Sequence, residues 1–165
     1  MSTKGVPAAL SAKPPRSFRS TTVDGYSGVL DSESSKVFAR KLPQEVKVEF
    51  ATSDQVVQTP EGAIQARAGD AIVTGTFGER WCVSHERFRQ KYQPVAPTTM
   101  GASGRYISVP MRVIAARLEE PFDVVLTDGQ SVLHGRPGDW LVDYGDGSLG
   151  VVAANAFTAT YELEP

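Results

Sequence analysis

Arg136-Pro137-Gly138-Asp139-Trp140-Leu141-Val142-Asp143-Tyr144 is the stretch that decides the fold, because the chain writes it twice. Sixty-nine residues earlier stands Arg67-Ala68-Gly69-Asp70-Ala71-Ile72-Val73-Thr74. From Ile64/Leu133 to Tyr92/Tyr161 the two stretches align without a gap, and the shared framework is R-x-G-D-x-φ-V, then Gly, Val and F-x-x-x-Y. Repetition of this kind points to a repeated structural unit. A Gly before a strand permits a backbone angle other residues resist. The Asp after it can accept hydrogen bonds from nearby backbone N–H groups. Ala71–Thr74 and Trp140–Asp143 then read as strands, Gly75–Gly78 and Tyr144–Gly147 as hairpin turns, and Arg80–Val83 and Leu149–Val152 as return strands. Ser84 is a natural N-cap for a short helix that places Phe88 and Tyr92 on one face. Phe157 and Tyr161 have the same spacing, but Thr158 and Thr160 lower helix propensity, so only one turn is expected there.

Upstream of the framework, Val37-Phe38-Ala39-Arg40-Lys41-Leu42 resembles Val113-Ile114-Ala115-Ala116-Arg117-Leu118, now at an offset of 76. At that offset Val46–Phe50 matches Phe122–Leu126. These segments alternate as half-buried strands do. The change of offset predicts a seven-residue insertion in the first copy, between Phe50 and Ile64. Residues 93–111, with Pro94, Pro97, Gly101 and Gly104, read as a connector. Residues 1–35 lack sustained apolar periodicity and read as an unstructured, weakly basic tail.

The expected organisation is a tail over 1–35, a first module over 36–95, a linker over 96–111 and a second module over 112–165. The fold class is β-rich α+β: two tandem small twisted sheets or partial barrels, each closed by a short helix. The two should pack as an internal pseudo-dimer, each covering the other's open face or edge.

Composition narrows the function classes. At 165 residues and 41% apolar, the chain can bury a real core. No apolar run is long enough for a membrane span. The N-terminal residues contain no apolar h-region, so a secretory signal is not expected, and the single Cys82 suits a reducing compartment, so the expectation is cytoplasmic. The net charge of −2 is uneven: residues 96–165 carry four Lys/Arg against nine Asp/Glu. An acidic second half is a poor match for a phosphate backbone, so nucleic acid is not the expected partner.

Chemical signatures are sparse. Walker, G-x-S-x-G and H-E-x-x-H patterns are missing, and no cofactor motif is found. Cys82 and His85 form a C-x-x-H pair, but two ligands do not make a zinc site. Their aligned positions are Val151 and Ala154, so Cys82 reads as a packed thiol. No catalytic or metal-binding residue is assigned. Arg67/Asp70 and Arg136/Asp139 recur, as turn-fastening residues or as an anion grip. Glu79, Arg80, Trp81, Trp140, Asp143 and Tyr144 differ between the copies and are the better binding candidates. Asp143 and Arg80 are expected on hairpin surfaces, and both tryptophans read as core ahead of contact.

These residues resemble the family of small modules named for a P-G-D-Y-G motif, found in phage, prophage and bacterial reading frames. The first copy carries Glu61-Gly62, Gly69-Asp70, Gly78-Glu79-Arg80-Trp81-Cys82-Val83 and Phe88–Tyr92. The second carries Asp128-Gly129, Pro137–Val142, Gly147 and Phe157–Tyr161. The departures are Ala71 for an aromatic, Cys82 for Pro, and Ser148-Leu149-Gly150 for Glu-x-aromatic. The resemblance implies a module and a mobile-element setting, and brings no established activity. The expected function is a non-enzymatic binding module for a protein partner or small anionic ligand. The alternative is a small enzyme or ligand-binding protein acting on a nucleotide or other small anion, through Arg67, Asp70, Glu79 and Arg80.

Overall fold

The computed structural model describes residues 14–165. The chain is β-rich, with fifteen strands and two short helices among these residues, and its sheets are open rather than closed into a barrel. In order the elements are β1 Arg16–Arg19, β2 Val37–Lys41, β3 Glu45–Phe50, β4 Gln55–Thr59, β5 Gly62–Ala66, β6 Ala71–Thr74, β7 Arg80–Val83, α1 His85–Lys91 and β8 Tyr92–Pro94. There follow β9 Gly104–Ser108, β10 Met111–Arg117, β11 Phe122–Val125, β12 Val132–Gly135, β13 Trp140–Asp143, β14 Leu149–Val152, α2 Ala154–Thr160 and β15 Tyr161–Leu163.

Two five-stranded sheets carry the architecture, in the orders β7-β6-β3-β9-β8 and β14-β13-β10-β2-β15. The orders correspond strand for strand, with one consequence that alternation cannot reveal. Strand β2, from the first half of the chain, lies in the second sheet between β10 and β15. Strand β9, from the second half, lies in the first sheet between β3 and β8. The halves therefore exchange a strand, and each five-stranded sheet is complete only with both halves present.

This arrangement corrects the offsets. Phe50 pairs with Ala71, and Arg117 pairs with Trp140, so β3 corresponds to β10 rather than to β11. Strand β2 corresponds to β9: Lys41 pairs with Tyr161 as Ser108 pairs with Tyr92. The seven-residue insertion expected between Phe50 and Ile64 is not there. Instead the second β-hairpin has the longer turn. The β4–β5 turn closes between Thr59 and Gly62, whereas the β11–β12 turn closes between Leu126 and Ser131. The misreading has a physical cause. β2, β3 and β10 all alternate around small or β-branched residues, and a period of two does not say which neighbour a strand will find.

The stretch expected to be a linker contains β9, and Tyr106 at its centre is fully buried. The expected tail also changes. Residues 1–13 lie outside the described residues, but β1 pairs in parallel with β11 and buries Phe18 against Phe122. Beyond it Leu30 is 2% exposed in the same core. The segment from 16 to 30 is thus part of the fold, held by a few well-placed apolar residues rather than by a periodic run.

The Gly-Asp turns form as the framework predicts. Gly69 and Gly138 have φ of +93° and +94°, a region that favours glycine. Ser84 caps α1 by accepting from the Arg87 N–H. Helix α2 is as long as α1, against the single turn expected. The Thr158 and Thr160 hydroxyls donate to the carbonyls of Ala154 and Ala156 four residues back, so both stay within the helix. Each helical phenylalanine stacks on the tyrosine that caps its helix: Phe88 on Tyr92 at 4.9 Å, and Phe157 on Tyr161 at 4.5 Å. Each pair anchors the core of its own sheet.

Candidate ligand cavity

A cavity of about 560 Å³ lies where the two sheets meet. Its position follows from the strand exchange, since β2 carries Lys41 across to the junction. On β2, Ala39 is fully buried in the second core, and Lys41 two residues on shares that face. A lysine thus occupies a position where the strand pattern calls for an apolar side chain. Its counterpart on β9 is Ser108.

Aromatic side chains surround the Lys41 ammonium. Nζ lies 5.3 Å from the centre of the Trp81 ring and 6.0 Å from that of Tyr92. Among the described residues no carboxylate is within ion-pair distance of it. Burial holds the Lys41 pKa below its ordinary value, partly offset by Tyr144 and Glu79. Solvent still reaches this side chain through the cavity, so it is half-buried in area while protein surrounds it on most sides.

The tyrosines share this environment. Tyr92 is 2% exposed, and its hydroxyl accepts from Trp81 Nε1 at 3.0 Å. Burial raises the pKa of Tyr92, Tyr144 and Tyr161, so all three are neutral donors at neutral pH. Tyr144 contributes from the β13–β14 turn, where its hydroxyl closes over Gly150; a Cβ there would lie 2.8 Å from that oxygen. Trp81 and Tyr144 occupy non-equivalent positions. The residue aligned with Trp81 is Gly150, and the one aligned with Tyr144 is Gly75. Each half therefore places one large ring at the junction where the other half has glycine.

A second cation is already engaged. Lys91 Nζ on α1 stands 2.9 Å from Asp146 Oδ2 and 5.3 Å from the Tyr144 ring. Arg87 Nη2 donates to the Asp146 carbonyl at 2.9 Å. Burial works against ionisation of Asp146, but hydrogen bonds from Ser148 and the Lys91 charge outweigh it and hold the pKa at about 2. The basic face of α1 is thus partly spent on binding the two halves together. On the acidic side, burial followed by the charges of Asp139 and Glu79 pushes the Glu61 pKa up.

Of the residues singled out in the sequence, Glu79, Arg80, Trp81 and Tyr144 line the cavity. Glu79 also fastens its turn by accepting from the Phe77 N–H at 2.8 Å. Arg67, Asp70, Arg136 and Asp139 are elsewhere: each Asp accepts the N–H of its Arg at 2.9 Å, and both Arg side chains are exposed. Trp140 stacks on Phe157 at 3.8 Å, in the second core.

Asp143 is not on a hairpin surface. It is 1% exposed and accepts from the Ser27 N–H at 2.9 Å, the Ser27 hydroxyl at 2.8 Å and the Gly145 N–H at 3.1 Å. The segment expected to be a tail covers it. Cys82 borders the cavity, and burial pushes its thiol up to about 11. No group of metal-ligating side chains occurs among the described residues. Lys41 escaped the sequence reading, although its placement two residues after Ala39 in an alternating strand was the available signal.

No helix among the described residues is long and apolar enough to cross a membrane. No curated protein and no solved structure matches the chain. Residues 62–162, well over half of the chain, match the family described as PGDYG protein in one span that includes both Gly-Asp turns and both aromatic helices. The chain belongs to that family.

Proposed function

We propose that this protein is a non-enzymatic binding module that encloses a small anionic ligand between two tandem copies of a PGDYG-type unit, arranged as an internal pseudo-dimer. The two-copy reading rests on the shared framework and the corresponding strand orders. A phage or mobile-element accessory role, in the cytoplasm, is the setting the family resemblance suggests. The observation that carries the ligand reading is the Lys41 ammonium, enclosed by rings and without a carboxylate partner among the described residues. A buried charge left unpaired is costly, and an anion entering the cavity relieves that cost. Arg80 on the same wall supplies a second donor suited to a carboxylate or phosphate.

The test is a thermal-shift series with small carboxylates, inorganic phosphate and nucleotides. A ligand that binds only the folded state stabilises it by about 2.7 kcal/mol at a hundred times its Kd. At least one anion should raise the melting temperature of the wild type and leave that of Lys41→Met unchanged. Equal shifts in both proteins would place the ligand elsewhere.

A further inference from the structure

We propose that Lys41 is a covalent capture site: its ε-amine forms an imine with an aldehyde or ketone that also bears an acidic group. This rests on the reading of the cavity as an anion site and names the ligand's reacting group. Three observations on the cavity converge. Lys41 is the amine in the cavity that no carboxylate holds, whereas Lys91 is tied to Asp146. The cavity reaches the surface past Thr76, Ser84 and Glu86, all exposed, so a small molecule has a way in. The Tyr92 hydroxyl accepts from Trp81 but donates to no acceptor among the described residues, which leaves a proton donor in the same enclosure.

Imine formation needs the neutral amine, and charged groups on every packed element bear on it. Burial favours that form, Tyr144 from the β13–β14 turn and Glu79 from the β6–β7 turn oppose it, and Lys91 on α1 is a like charge nearby. The chemistry then balances without an oxidant or reductant. The Nζ lone pair attacks the carbonyl carbon, and the carbonyl π pair moves onto oxygen, which takes up a proton lost by nitrogen. Tyr92 donates a proton to the resulting hydroxyl, which leaves as water. The nitrogen lone pair forms the C=N bond, and the tyrosinate recovers the second nitrogen proton. Arg80 meets the ligand's acidic group.

The probe is 4-carboxybenzaldehyde, trapped with cyanoborohydride and located by peptide mass mapping. Its control is 4-(hydroxymethyl)benzoate, which keeps the ring and the acid but lacks the carbonyl. At neutral pH Lys41 should be labelled at least about tenfold faster than the exposed Lys47, since burial favours the reactive neutral amine. Lys41→Arg should lose the adduct while other lysines label as before. Tyr92→Phe, which keeps the stacked ring, should slow labelling without weakening binding of the control alcohol. Labelling of Lys41 no faster than that of Lys47 overturns the proposal. If the control alcohol binds in a Lys41-dependent manner and no adduct forms, the imine is wrong and the anion site stands. If neither compound binds, both readings fail.

Discussion

The two sheets are built to one plan and finished differently. Both have the same strand order, the same Gly-Asp turn and the same stacked Phe-x-x-x-Tyr pair. At the junction they diverge: Lys41 faces Ser108 in the correspondence, Trp81 faces Gly150, and Tyr144 faces Gly75. The second sheet alone is wrapped by the segment from β1 to Leu30, which fastens onto Asp143 where the first sheet has Thr74. The contrast separates two kinds of demand. Positions that recur serve folding, because each sheet needs its own turn and its own aromatic anchor. Some positions that differ, Lys41, Trp81 and Tyr144, line the space between the sheets, while Asp143 and Trp140 show that divergence also arises from one-sided packing.

The sharpest way to break this comparison is to remove the shared anchors. Phe88→Ala and Phe157→Ala should each cost about 3–5 kcal/mol in urea denaturation, since both leave a large void among buried neighbours. A marked inequality would mean that the two cores do not contribute alike.

The next effect tests the one-sided packing at Asp143. Asp143→Ala removes the acceptor for three hydrogen-bond donors in a buried site and should cost about 2–4 kcal/mol. Thr74→Ala, the matching change in the first sheet, should cost less than about 1 kcal/mol. Deleting residues 1–30 should then lower stability about as much as Asp143→Ala, or more, because it also strips Phe18 and Leu30 from the core. An unchanged melting temperature after the deletion would remove the wrapped segment from the account.

The shared turns should show a smaller and graded difference. Valine is strained at the positive φ of Gly69 and Gly138 alike. Only at Gly138 does an added Cβ also meet a side chain, at 3.3 Å from Arg117 Nη2. We expect losses of about 1–3 kcal/mol, with Gly138→Val the larger. Equal losses would assign the whole effect to backbone strain.

The smallest effect is the most specific to the junction. Lys41 has a lowered pKa when folded, so the unfolded chain binds the extra proton between that value and the ordinary lysine value of about 10.5. Its contribution to stability therefore rises as the pH climbs through that window and is at its worst at lower pH. Lys41→Met should be more stable than the wild type at neutral pH, by about 1 kcal/mol, and should lose that alkaline rise. A wild type that outlasts Lys41→Met at pH 7 without added ligand would show that the ammonium is well satisfied in the empty cavity.

Much of this fold was legible where local chemistry dictates local shape. The Gly-Asp turns, the β6–β7 and β13–β14 hairpins and the Ser84 cap could be read because each depends on residues a few positions apart. Strand partnership could not. Val37–Lys41 satisfies the alternation of any half-buried strand, and nothing local says that its neighbours will be β10 and β15. The β1 segment was missed because Phe18 and Leu30 stand alone among polar residues, too sparse to form a period. Of the binding candidates, Glu79, Arg80, Trp81 and Tyr144 converge on one cavity, while the Arg67/Asp70 and Arg136/Asp139 pairs fasten turns. Lys41 was passed over because the alignment of Val37–Leu42 with Val113–Leu118 set it opposite Arg117, so a cation there read as part of the repeat.

The exchanged strands also have a bearing on how the protein is made. During synthesis β2 leaves the ribosome ahead of β3, yet its neighbours are β10, from residue 111, and β15, from residue 161. The first sheet must in turn wait for β9 before β8 has its pairing partner. A nascent chain of a hundred residues therefore holds β1 and β2 without their partners and one sheet with a gap, all open to pairing with the wrong neighbour. The first sheet, whose strands all lie within 45–108, has its full set of strands before β10 is made, whereas the second must draw β2 back from the start. Only the second sheet is left to close late, when β15 takes its place beside β2.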